Sequence, residues 1–364
     1  MRKPAICLLL LFICLFPSIA YAGIAADSSS AVILAYHRIG EDFEPDNSLQ
    51  TAQFLAHIQM IEEGGYKVAA LPDILRAIKN GETLPPGTLA ITFEGAYRSA
   101  FENAMPILLS KNIPFTVLYA ADNADTGRRD YLGWKELSFL HRHKNVTLGV
   151  LPSAYTHLIG ETPEEALRLI NKARQRHRDM FGEEAALFSY PFGEISSNIK
   201  DMVKHQGFEA ALGLHSGAAY AGSDMFALPR FSMTEHYGTP ERFGLIADTL
   251  PLPVTEIEPE NPYIQEDRPL IGFSVTPEIQ NDLQDLVCFV SGQSTPPSLE
   301  IIGLRVELRL QAPLTDARTR INCTMPAGEG ENGPLWRWFG MLLYKEQTPD
   351  LPTPEQSALR PPLE

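Results

Sequence analysis

Between residues 31 and 250, short apolar runs alternate with stretches whose apolar positions recur every three or four residues. Ala31–Tyr36 (AVILAY), 67–71, 89–93, 115–119, 146–150, 187–190 and 208–213 have the length and branched-aliphatic content of buried strands. Residues 52–63 carry Phe54, Ile58 and Ile61 on one helical face. Residues 72–79, 99–110, 134–143 and 198–205 repeat that period. Thr162-Pro163-Glu164-Glu165 is a capping box with proline at the first helical position, and it opens a helix running to about Phe181. Strand-then-helix repetition predicts an α/β fold with a parallel sheet and helices outside it. A distorted (β/α) barrel and an open doubly wound sheet both fit this pattern.

The pattern changes after residue 250. Residues 251–269 (PLPVTEIEPENPYIQEDRP) are rich in proline and acids and keep no apolar period, which predicts a linker. Beyond it, residues 270–275, 286–290, 304–310 and 319–323 read as strands, and 335–343 (LWRWFGMLL) as a last apolar run. In 304–310, Arg305, Glu307 and Arg309 alternate with aliphatic residues, the mark of a half-buried strand. The expected form of 270–346 is a small all-β, sandwich-like domain. The tail 347–364 is proline-rich and expected to be disordered.

The N-terminus adds a compartment. Arg2 and Lys3 precede an uncharged apolar stretch from Ala5 to Phe16, followed by Ala20-Tyr21-Ala22. This is the layout of a secretory signal peptide, residues 1–22, and predicts an exported, periplasmic or extracellular protein. A bilayer span needs about 20 apolar residues, so the alternative, an uncleaved anchor, has a short core, and no stable membrane span is expected after cleavage. Cys7 and Cys14 leave with that segment, and only Cys288 and Cys323 remain. In an oxidising compartment they form one disulfide; two buried thiols is the other reading. The formal charge of −15 argues against nucleic acid as a partner, because its backbone demands a basic footprint.

Three strand ends carry candidate chemistry. Glu94 ends the strand in TLAITFEGAY, on the side where α/β folds place ligands. It reads as a base or metal ligand, or as a carboxylate capping the next helix. Tyr190 and Phe192 sit in SYPFG after another strand, where they could line a sugar site or simply form a turn. His37 ends the first strand as a ligand, a site-lining donor or a structural histidine.

The order of these pieces resembles the polysaccharide deacetylase family. The resemblance rests on YHR at 36–38, ITFEGAYRS with ENAMPIL after it, a strand ending in Leu148-Gly149, and SYPFG, and it spans roughly residues 30–235. It implies a distorted (β/α) barrel over 30–250 and metal-dependent hydrolysis of N-acetyl groups on glycans, with a divalent metal such as zinc as cofactor. The implied partner is a cell-envelope polysaccharide. GLHSG, ALPRF and RINCTMP with LWRWFG are similar to an exported bacterial subgroup that adds a small C-terminal domain.

Against that pattern, the metal-site positions are changed. Family members supply an aspartate pair after the strand, the first a base and the second a ligand; here the pair is Glu94 and Gly95. The two ligand histidines four residues apart correspond to Leu151 and Tyr155, neither a usual zinc ligand. His157 lies two residues beyond and joins a site, with Glu94 and His37, only if the loop is re-routed. The resemblance puts His215 where the leaving amine is protonated, a structural role being the other reading, and Arg230 could pair with Glu94 across the site or contact substrate. Three functions compete: an altered-site deacetylase, an inactive deacetylase-like domain that binds a glycan or scaffolds a partner, and an unrelated glycosidase using two carboxylates such as Glu94 and Glu194. Trp336 and Trp338 share one strand face as sugar platforms or as core.

Overall fold

The computed structural model describes residues 25–345. The leader and the tail expected at the two ends lie outside the described residues.

Six parallel strands run in chain order across the main sheet: β1 (Ser30–Tyr36), β2 (Thr88–Glu94), β3 (Phe115–Tyr119), β4 (Val146–Val150), β5 (Leu187–Ser189) and β6 (Ala210–Leu212). Every residue of β2 and β3 is buried, as expected of a parallel sheet covered on both faces. Two short strands extend the sheet beside β1: Ala218–Tyr220 antiparallel and Phe231–Ser232 parallel. Leu228 bridges to Leu212 on β6, so the segment 228–232 crosses from one edge of the curled sheet to the other. The sheet is thereby drawn into the distorted barrel rather than the open alternative.

The helices pack outside. Thr51–Glu63 buries Phe54, Ile58 and Ile61. Pro163–Phe181 starts at Thr162, whose hydroxyl accepts the Glu165 amide, and stops at Gly182 in the left-handed conformation. Two expectations change for local reasons. The helix expected over 99–110 is split into Arg98–Asn103 and Met105–Ser110, because Pro106 has no N–H to continue the first helix. The strand expected over 67–71 shrinks to Lys67–Val68, because Pro72 starts the next helix at Leu71.

The C-terminal residues form two antiparallel-rich sheets around one core. The four-stranded sheet contains Val254–Glu258, Ile271–Val275, Ser298–Ile302 and Arg305–Arg309. The other contains Val287–Val290 and the long hairpin Arg318–Gly330/Gly333–Lys345. Phe273, Val306, Cys288, Ile321 and Leu343 meet between them. Cys288 and Cys323 oppose each other across the ladder and are joined by a disulfide. The segment read as a linker is largely ordered: Val254–Glu258 pairs with Ile271–Val275, and Tyr263–Ile264 with the last strand. Its acids escaped the periodic pattern because this strand is an exposed edge.

The long hairpin Arg318–Gly330/Gly333–Lys345 lies against the barrel's strand ends. Gly217 bridges Phe339, and a side chain at Gly340 would collide with the Ser216 backbone. Trp338 is buried here, edge-on to Phe231, with its indole N–H donated to Asn322. It is a joint residue rather than an exposed sugar platform.

Candidate functional site

Glu94 ends β2 with no solvent exposure. The segment 228–232 carries Arg230, equally buried, over it. Arg230 Nη2 donates to Glu94 Oε2 at 2.5 Å and to Ser189 Oγ at 2.9 Å, while its Nε donates to the Gly213 carbonyl at 2.7 Å. Ser189 Oγ donates to the same carboxylate oxygen at 2.7 Å, and Tyr155 Oη donates to Oε1 at 3.2 Å. His37 Nε2 stands 3.9 Å from Oε1.

These contacts decide the charge states. Burial alone would raise the Glu94 carboxyl, but the Arg230 guanidinium, His37 and the Ser189 hydroxyl together hold it below its ordinary value. Burial, and then the Glu94 charge, pushes the Tyr155 phenol well up, so it stays a donor. Burial lowers His37 to about 4, against the opposing pull of Glu94 and with help from Arg230, Arg318 and Arg320. The centre is an ionised carboxylate facing a guanidinium and a neutral imidazole. A carboxylate in that state is a weak base, because its charge is already stabilised.

The residues do not fit the expected metal. Gly95 has no ligand atom and adopts φ +92, where a Cβ would stand 2.5 Å from the Tyr97 ring. Leu151 is fully buried and apolar. Tyr155 is spent on Glu94. Among the described residues no three His, Cys, Asp or Glu side chains cluster as a metal site would require.

His157 does not join Glu94 and His37. Its Nδ1 lies 2.9 Å from both carboxylate oxygens of Glu194. The Tyr155, Phe192 and His157 rings form a stack, with centroids 5.1 Å and 4.1 Å apart, which puts two rings between His157 and Glu94. Phe192 reaches the stack from a left-handed conformation at φ 60, unusual for a bulky residue. His215 lines a cavity of about 360 Å³ at the joint between barrel and C-terminal sheets. Burial, and then Arg230 and Arg320, lowers its imidazole to about 4. Tyr190 is fully buried, and its hydroxyl donates to the Phe226 carbonyl at 2.9 Å, so it belongs to the core rather than to a sugar surface.

Sequence reasoning missed Ser189 and the C-terminal arginines. Arg318 donates to the Phe192 carbonyl and Arg320 to the Leu214 carbonyl, tying the last hairpin to both site loops. Tyr344 donates to the Gly193 carbonyl. The alternation of Arg318, Arg320 and Asn322 was the available signal: polar residues on the face opposite Ile321, Cys323 and Met325.

Residues 81–211 match the sequence profile of the polysaccharide deacetylase family. A poly-beta-1,6-N-acetyl-D-glucosamine N-deacetylase of Staphylococcus aureus (strain N315) is 20% identical over 232 residues, covering 57% of this chain and 80% of that protein. A Streptococcus pyogenes deacetylase solved with acetate superposes with a TM-score of 0.55 at 16% identity, over 60% of this chain and 98% of its own. IcaB from Ammonifex degensii gives 0.54 at 16% identity, over 60% and 97%. A de-N-acetylase from Aggregatibacter actinomycetemcomitans gives 0.52 at 15% identity, over 59% and 99%. At these identities the structural likenesses establish a shared fold.

Proposed function

We propose that this chain, whose barrel is a polysaccharide deacetylase domain, is exported and binds an N-acetylated cell-envelope glycan at the barrel mouth without the family's metal-dependent hydrolysis. One observation carries the reading: the Glu94 carboxylate is fully buried and held by Arg230, Ser189 and Tyr155, while Gly95 and Leu151 offer nothing to a metal. The His157 ring, the outer member of the stack, is the sugar-facing group, held in place by Phe192 behind it, because flat rings stack on the apolar faces of pyranoses. His157 keeps its side chain 61% exposed, and with the proton on Nδ1 its Nε2 is free to accept a glycan hydroxyl. The signal-peptide pattern read in residues 1–22 supports export, and the C-terminal hairpin Arg318–Gly330/Gly333–Lys345 braces the mouth.

Isothermal titration with a β-1,6-linked N-acetylglucosamine pentamer tests this reading. Saturable binding is expected, weakened in Phe192→Ala and His157→Ala. Absence of binding in the intact protein, or binding indifferent to both substitutions, would overturn it.

A second reading, acetyl hydrolysis, is favoured by the relatives named N-deacetylases and by the His157–Glu194 pair, which resembles an oriented general base. Acetate release abolished by His157→Ala or Glu194→Gln would establish it.

A further inference from the structure

The barrel-facing side of strand Arg318–Gly330 carries Arg318 and Arg320, and the helix Pro240–Ala247 brings Arg242 to the same joint. The other partly buried arginines are neutralised locally, among them Arg98 by Glu136, Arg174 by Glu184, Arg230 by Glu94, Arg305 by Glu307 and Arg337 by Asp27, whereas Arg128, Arg129, Arg142 and Arg268, which also lack an ion pair, are exposed to water. Among the described residues, Arg242, Arg318 and Arg320 have no carboxylate within the 4.0 Å of an ion pair. Arg318 and Arg320 donate to neutral backbone carbonyls, and Arg318 also meets the Tyr344 side chain, again a neutral group. Arg242 meets only rings, at 5.4 Å from Tyr237 and 5.7 Å from Trp338.

The donors left over point to a ligand. Arg242 Nε and Arg318 Nε are buried with no hydrogen-bond partner. Buried donors are normally satisfied, and each one left open costs free energy until something accepts from it. Arg320, partly desolvated, stands between the two and is repelled by Arg318 and more weakly by Arg242, and the Trp338 ring beside Arg242 donates its indole N–H to Asn322 on the same strand face as Arg320. This happens in a chain of net charge −15, where a carboxylate partner would be the easy solution. Tyr237, 45% exposed, opens the cluster to solvent beside the Arg242 guanidinium. Forked guanidinium donors match oxyanions, and a flanking ring suits a sugar carrying one.

We infer that the joint between the barrel mouth and the C-terminal hairpin binds an acidic saccharide, with its oxyanion seated among Arg242, Arg318 and Arg320 and its ring against Tyr237. The word saccharide rests on the glycan-binding reading above; the anion site stands on the unpaired arginines. It narrows the ligand from any N-acetylated glycan to one that also bears carboxylates or phosphates.

The test titrates the full chain at low salt with three probes. They are a hyaluronan hexasaccharide, in which N-acetylglucosamine alternates with glucuronate, the neutral N-acetylglucosamine pentamer, and inorganic phosphate. The hyaluronan probe is expected to bind at least about tenfold more tightly than the neutral one, with the advantage shrinking as salt rises. Arg242→Gln and Arg320→Gln are each expected to erase most of that advantage. Arg242→Gln removes no side-chain hydrogen bond, so it keeps the test valid if Arg320→Gln fails to fold. Equal affinity for acidic and neutral probes, or a preference surviving in Arg242→Gln, would overturn the inference. Phosphate binding as tightly as hyaluronan would overturn the saccharide and leave a site for the free anion. Loss of the acidic preference with neutral binding intact counts against this inference alone; loss of neutral binding with hyaluronan bound counts against the glycan reading of the Phe192 stack.

Discussion

Replacing Arg230 by methionine probes the centre of the barrel most sharply. The substitution keeps an unbranched chain of similar reach but deletes the donors to Glu94, Ser189 and the Gly213 carbonyl. Glu94 then remains fully buried with its charge facing the Ser189 and Tyr155 hydroxyls. Removing one partner of a buried ion pair costs about 3–5 kcal/mol, because the other charge is stranded. The pH dependence gives a second handle. In the native protein the Glu94 carboxyl is held below its ordinary value, so its contribution is present above that value and lost as pH falls through the folded one. In Arg230→Met, burial dominates and the carboxyl rises, so the penalty is largest at neutral pH and relaxes on acidification. Urea unfolding at pH 7.5 and pH 5 should show the gap to the native protein narrowing at the lower pH. Glu94→Gln combined with Arg230→Met should recover part of the loss, since neither charge is then buried alone. A deficit below about 1 kcal/mol at pH 7.5, the scale of an ordinary neutral hydrogen bond, or a deficit equal at both pH values, would refute the reasoning.

Other outcomes follow from the same geometry. Gly95→Asp, which restores the residue type expected of a ligand, should destabilise by about 1–3 kcal/mol, because φ +92 disfavours any Cβ and the Tyr97 ring blocks it; a thermal melt reads the loss, and dialysis against zinc should leave no bound equivalent. His37, His57, His177 and His215 are all lowered to about 4, chiefly by burial. The unfolded chain therefore binds protons the folded one refuses, and stability should fall between pH 6.5 and about 4, by up to roughly 1.4 kcal/mol per pH unit for each histidine, as urea midpoints across that window would show. Reducing the Cys288–Cys323 disulfide, which closes a 35-residue separation, should cost about 4 kcal/mol on a loop-entropy estimate, seen as a lower midpoint with dithiothreitol.

Much of the barrel was legible because its signals are local. β3 and β4 fall on the residues read as strands, since an apolar run between turn residues has one good solution in a covered parallel sheet. The helix Pro163–Phe181 announced both its ends through Thr162, Pro163 and Gly182. The prolines were under-read: Pro72 and Pro106 moved boundaries that periodicity alone set wrongly. Strand Val254–Glu258 hid in the supposed linker because an exposed edge needs no apolar face.

The site divides along the same line. The losses at Gly95 and Leu151 were readable as single positions in a motif. The pairing of Glu94 with Arg230 was readable only as one of two roles, since 136 residues separate them and only the crossing of segment 228–232 brings them together. The ring stack that separates His157 from Glu94 depends on Phe192 adopting φ 60, which no periodic pattern encodes. The unpaired arginines were invisible for a different reason: a sequence counts charges, and this one counts strongly negative. Only the fold shows which cations lack a partner.

The account turns on whether the buried Glu94 is a structural acceptor rather than a working base. Acetate release from a β-1,6-linked N-acetylglucosamine pentamer, followed with zinc titrated into the purified chain, tests that most directly. The account predicts no release above a Glu94→Gln control at any zinc concentration. Release that saturates at one zinc per chain and disappears in Glu94→Gln would contradict it.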